Sequence, residues 1–153
     1  MREFSALLLL VTGLAASAAP ATTDPLRVLL VTGGHDFQTN QFLDLFRSEP
    51  GVRLTHVVHP EAQAWFKPER AGDYDVLVSY DMWQDISEEA KADLLALVRS
   101  GKGFLAMHHC LASREEEAGR VVYLQLGHDR LAYENPAFRQ IVHQAMRWVA
   151  QAN

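Results

Sequence analysis

Three short clusters in this chain carry groups that titrate or bind metal near neutral pH: His35 with Asp36, His108 with His109, and His128 with Asp129. The tripeptide Gly-His-Asp occurs twice, at residues 34–36 and 127–129. Imidazoles brought together from separate segments can hold a divalent metal or act as general acid and base, while carboxylates orient them or bind sugar hydroxyls. A glycine before the histidine lets a ligand approach the backbone closely. The competing reading is local: Asp36 or Asp129 caps a helix or closes a turn, and a single histidine is an ordinary structural group. Convergence of the three clusters decides between the two readings, and it depends on the elements that carry them.

Val28-Leu29-Leu30-Val31 is an apolar run without alternation, as in a strand covered on both faces of a parallel sheet. It stops at Gly33 and Gly34, so His35 and Asp36 stand at the carboxyl end of a central strand, where open α/β sheets bind ligands. Thr39 or Asn40 then caps a helix with Phe42, Leu45 and Phe46 on its apolar face, ended by Gly51. Val52–Val58 mostly alternates and reads as a half-buried strand near an edge. Pro60 and Pro68 break the stretch 59–72 into a loop with one helical turn.

Tyr74–Tyr80 is a second interior strand. Ser87 caps a helix with Glu88 and Glu89 in its first turn, which suits the helix dipole, and with Ala90, Leu94, Leu97 and Val98 buried. Gly103–Met107 is a third interior strand that runs out into His108 and His109. Adjacent side chains diverge, so one of this pair faces the site; His109, further past the strand end, is the expected one. Arg120–Leu126 is the last strand, ending at Gly127-His128-Asp129. Asn135 and Pro136 take the cap and first positions of a final helix with Phe138, Ile141, Val142, Ala145, Trp148 and Val149 on one face. Strands alternating with amphipathic helices specify a three-layer α/β domain, and the expectation is a flavodoxin-like sheet of five parallel strands, approximately in the order 2-1-3-4-5, with helices on both faces. Only 12 residues separate Met107 from Arg120, near the minimum for a parallel crossover, with about two helical turns expected at 111–117.

Residues 1–18 lie outside this domain. Arg2, an apolar run from Phe4 to Leu14 and Ala16-Ser17-Ala18 have the order of a secretory signal, and the run falls short of the roughly 20 residues a spanning helix needs. The expectation is an exported chain, periplasmic or secreted, with a linker at 19–25, a domain at 26–153 and no membrane attachment after cleavage. The net charge of −5 without a basic stripe argues against nucleic acid. Cys110 is the only cysteine, so packing rather than an internal disulfide holds the domain. A nucleophile at a strand-end elbow needs small residues two places to either side; here those positions are His108 and Ala112, and no glycine is present. A buried, inert thiol is the better reading. His56, His59 and His143 read as structural.

Four stretches, taken together, resemble the ThuA family, named for trehalose utilisation. They are Val31-Thr32-Gly33-Gly34-His35; Tyr80-Asp81-Met82-Trp83; Gly101-Lys102-Gly103-Phe104 leading to His108-His109; and Gly119-Arg120-Val121-Val122-Tyr123 leading to Gly127-His128-Asp129 and Asn135-Pro136 with Phe138. The resemblance implies a fold like that of class I glutamine amidotransferases without their catalytic cysteine. It also implies a role in carbohydrate metabolism, on a trehalose-type or oxidised disaccharide, with strand-end histidines lining a saccharide pocket. On that reading His35, His109 and His128 are the acid-base or metal-binding groups, and Asp36, Trp83, His108 and Asp129 contact the sugar. Trp65 and Trp83 are loop aromatics able to stack on a sugar ring. The chain departs from the family between residues 111 and 119, where members carry a longer segment with an acidic motif. That loss favours a rival reading, a non-catalytic sugar-binding or accessory module.

Overall fold

The computed structural model describes residues 24–110 and 119–151. The segment read as a secretory signal, most of the linker and the two turns expected at 111–117 lie outside the described residues. Five strands, β1 (Leu26–Gly33), β2 (Val52–Val58), β3 (Val76–Asp81), β4 (Gly103–Met107) and β5 (Val121–Leu124), form one parallel sheet in the order β2-β1-β3-β4-β5. This is the flavodoxin-like order expected.

The apolar runs explain which strands are central. In β1 and β3 neighbouring residues serve opposite layers, so both parities must be apolar. Leu30, Val78, Tyr80, Leu105 and Met107 face one core with α1 (Thr39–Arg47), α3 (Arg130–Glu134) and α4 (Pro136–Ala150). Leu29, Val31, Leu77, Phe104 and Ala106 face the other with α2 (Glu88–Arg99) and two 3₁₀ turns, Glu61–Trp65 and Pro68–Asp73. Those two turns occupy the stretch expected to hold a single turn. β2, which alternates, is an edge strand and only partly buried.

Helix ends follow the sequence in two cases and depart from it in one. The Ser87 side chain accepts from Ala90 N–H, and Asn135 accepts from Ala137 and Phe138 N–H with Pro136 at the first position. α1 is instead preceded by Gln38, which makes no side-chain cap. Its Oε1 accepts the Arg130 N–H at 3.1 Å and ties the start of α1 to the start of α3.

The buried face of α4 also needs correction. It consists of Phe138, Val142, Ala145, Met146 and Val149, whereas Ile141 and Trp148 are 42% and 48% exposed. Each of these two lies one residue, about 100° round the helix, from a buried neighbour. Trp148 is covered by the Arg120 guanidinium, 5.0 Å from its ring centre.

Candidate functional site

All three clusters lie at the carboxyl edge of the sheet. His35 follows β1, His108 and His109 follow β4, and His128 follows β5. The ring centres of His35 and His108 are 6.0 Å apart, those of His35 and His109 6.1 Å, those of His109 and His128 6.3 Å, and those of His108 and His128 4.8 Å. One nitrogen from each of His108, His109 and His128 falls within 4.8 Å of the others.

The structure differs from the expectation that only one of the adjacent pair faces the site. The rings of His108 and His109 lie 3.7 Å apart, and His108 is the buried member. The cause is backbone: His108 has φ +57°, a left-handed conformation that ends the alternation of β4. For a non-glycine residue this costs about 1–2 kcal/mol and persists only where the surroundings impose it. β5 supplies those surroundings. The His108 N–H donates to the Leu124 carbonyl at 2.8 Å, its carbonyl accepts the Tyr123 hydroxyl at 2.8 Å, and its Nδ1 faces the Gln125 carbonyl at 3.4 Å. Burial lowers the His108 pKa below the ordinary imidazole value, and the other three histidines lower it further.

Opposite a carbonyl, Nδ1 of His108 must be the protonated nitrogen, so its Nε2 carries a lone pair. That lone pair meets His128 Nδ1 at 2.8 Å. His128 therefore donates through Nδ1 and keeps its Nε2 lone pair free. His35 is arranged in a similar way: its Nδ1 lies 3.3 Å from the Asp36 carbonyl, and its Nε2 is buried without a partner among the described residues.

The other sequence candidates divide. Trp83, 90% exposed at φ +55°, lines a cleft together with His108 and His109. Asp36 is exposed and lines a separate depression with Gly34, His35 and His56. Asp129 caps α3, its carboxylate accepting the Ala132 N–H at 3.3 Å. Among the described residues no carboxylate pairs with His35, His108, His109 or His128.

Sequence reading missed a second polar knot in the cleft wall. Asp81 at the end of β3 lies 3.4 Å from His59 Nε2 and accepts the Ser79 hydroxyl. Burial alone would raise the Asp81 pKa, but hydrogen bonds from His59 and Ser79 carry it below the ordinary carboxylate value. Cys110 borders this knot, and burial pushes its thiol up to about 12. That direction disfavours the thiolate, the form in which a cysteine acts as nucleophile.

No protein-family model matches the sequence, and neither does any curated protein. Among solved structures, a protein from Parabacteroides merdae described as ThuA-like is 18% identical over 56% of this chain and 33% of its own, with a TM-score of 0.45. A protein from Bacteroides uniformis, also described as ThuA-like, is 12% identical over 82% of this chain and 46% of its own, at 0.46. A response regulator receiver domain from Bacillus halodurans is 20% identical over 80% and 97%, at 0.48. The chain thus spans a third to just under a half of the two ThuA-like proteins.

Proposed function

We propose that this chain is an exported carbohydrate-directed protein of ThuA type whose strand-end histidines form a divalent-metal site beside a sugar-binding lip. The observation that carries the metal reading is the convergence of His108, His109 and His128, with nitrogens within 4.8 Å of one another. Neutral imidazole suits zinc, copper, nickel and iron. Two nitrogens on one tetrahedral ion stand about 3.4 Å apart at bond lengths near 2.1 Å. The hydrogen-bonded His108–His128 pair, at 2.8 Å, would open by about 0.6 Å, and the His128 proton would move from Nδ1 to Nε2 to leave Nδ1 free to ligate, changes that the exposed His128 ring can accommodate. The Gln125 carbonyl would keep the His108 ring in the ligating tautomer. When bound, the ion would supply a Lewis acid for sugar hydroxyl or carbonyl oxygen, and Trp83 the stacking surface. The N-terminal signal pattern and the stretches that resemble the ThuA family support the export and carbohydrate parts of this reading.

A specific observation favours a second reading, a sugar-binding module without turnover. Two carboxylates at this edge of the sheet are engaged elsewhere, Asp129 in the α3 cap and Asp81 with His59 and Ser79. Zinc titration of the wild type beside His108→Ala, His109→Ala and His128→Ala tests the shared site: weakening in all three is expected, and three variants equal to wild type would refute it. Incubating the zinc-loaded protein with oxidised disaccharides then separates turnover from binding alone.

A further inference from the structure

The segment that carries His128 is fastened by two side chains for which sequence reading assigned no role. Tyr80, on β3, and Tyr133, on α3, are both fully buried, and their hydroxyl oxygens are 2.8 Å apart. The Tyr80 hydroxyl lies 3.1 Å from the Gly127 carbonyl and the Tyr133 hydroxyl 2.9 Å from the His128 carbonyl. Two protons serve these three contacts. Either Tyr80 donates to Tyr133 and Tyr133 to His128, or Tyr133 donates to Tyr80 and Tyr80 to Gly127. The first chain ends on the His128 carbonyl and the second on the Gly127 carbonyl, neighbouring residues of one loop, and each is polarised along its length.

Two further features put this clamp in the service of the site. The Tyr80 ring packs edge-on to His35 at 4.9 Å and stacks over His108 at 5.7 Å, so one side chain touches two imidazoles and holds the loop of a third. Gly127, at φ +100°, is pressed on Phe138, and an added Cβ would come within 2.5 Å of that ring. The loop is therefore fixed from three sides, and His128 Nδ1 meets His108 from that fixed position.

We propose that Tyr80 and Tyr133 are the positioning residues of the histidine site, their paired hydroxyls holding the Gly127–His128 backbone so that His128 Nδ1 reaches His108 Nε2. The metal part of the test rests on the function proposed above; the imidazole part does not. The experiment compares wild type, Tyr133→Phe, Tyr80→Phe and, as a control, Tyr74→Phe. Tyr74 is equally buried and donates to the Trp65 carbonyl at 3.1 Å, remote from the histidines. Each substitution removes one buried hydroxyl and keeps the ring.

Imidazole nitrogen NMR without metal, above the ordinary imidazole range, reads the His128 tautomer, and zinc titration reads the site. In wild type and Tyr74→Phe, His128 is expected as the Nδ1-protonated tautomer, and in Tyr80→Phe and Tyr133→Phe that signature should be lost. Zinc affinity should fall about 10–100-fold in those two variants, the usual loss when a ligand's supporting contact is removed, and stay unchanged in Tyr74→Phe. Retention of the wild-type tautomer in both site variants would overturn the proposal, as would an equal change in Tyr74→Phe. If the wild type binds no zinc, the metal reading fails while the tautomer comparison still decides the clamp. If one site variant does not fold, the other carries the test.

Discussion

His108 Nε2 and His128 Nδ1 are joined by a 2.8 Å hydrogen bond, and the Gln125 carbonyl behind His108 gives that bond a direction. The two rings are therefore unequal. His108 is buried with both nitrogens engaged, whereas His128 is exposed with Nε2 free. Carbethoxylation followed by peptide mass spectrometry should label His128 well before His108. Equal labelling of the two would contradict the assigned direction, and zinc at saturating concentration should protect both if they share an ion.

The corrected face of α4 makes a paired stability prediction. Met146 is fully buried between α4 and the sheet, so Met146→Ala should cost about 2–5 kcal/mol. Trp148 is half exposed and loses mainly its contact with Arg120, so Trp148→Ala should cost about 1 kcal/mol or less. Urea unfolding of both variants measures the contrast, and a larger loss for Trp148 would restore the face read from sequence.

That correction marks how far the sequence could be read. Val28–Val31 and Val76–Val78 have one physical explanation, burial on both sides, so the central strands could be argued from pattern alone, whereas their order rests on the habit of doubly wound sheets. The edge that gathers the histidines followed from the same argument. Helical periodicity, by contrast, put Ile141 and Trp148 on the apolar face, although each lies one residue from a buried neighbour and is nearly half exposed. Two further features were out of reach. The left-handed turn at His108, which brings both members of the pair into the site, is imposed by Tyr123 and Leu124 on β5 and by Gln125 just after it. Tyr80 and Tyr133, 53 positions apart, meet only because α3 folds back over the tip of β3.

Stability should fall in two stages on acidification. His56, hydrogen-bonded to Thr32 Oγ1 at 2.8 Å, and His108 both have pKa values lowered by burial from 6.5. Below 6.5 the unfolded chain takes up these protons before the folded one, so stability declines as pH falls toward the lowered folded values. Asp75 and Asp81 are also raised by burial and then carried below 3.8 by hydrogen bonds from Arg27 and from His59 with Ser79. Their contribution is present above 3.8 and is lost in a second stage as pH falls through their folded values. Urea midpoints taken from about pH 8 downward should decrease throughout. A midpoint that rises between about pH 7 and pH 5 would contradict the first stage, and His56→Gln should make that stage shallower.

His35 offers the sharpest separation of stability from function. Its Nε2 is buried without a hydrogen-bond partner among the described residues, and its ring sits among aromatic neighbours, 5.6 Å from Phe37 and 4.9 Å from Tyr80. A buried, unpartnered polar atom costs about 1–3 kcal/mol, while a phenyl ring would meet the same neighbours without that penalty. His35→Phe should therefore be neutral or stabilising, by up to about 1 kcal/mol once the lost Nδ1 contact with the Asp36 carbonyl is counted. If the free nitrogen is kept for a ligand, the same variant should bind zinc or sugar more weakly than wild type. Thermal unfolding and ligand titration on one preparation measure both. Clear destabilisation would mean that the orphaned nitrogen has a structural partner, and unchanged stability with unchanged binding would place His35 outside the site formed by His108, His109 and His128.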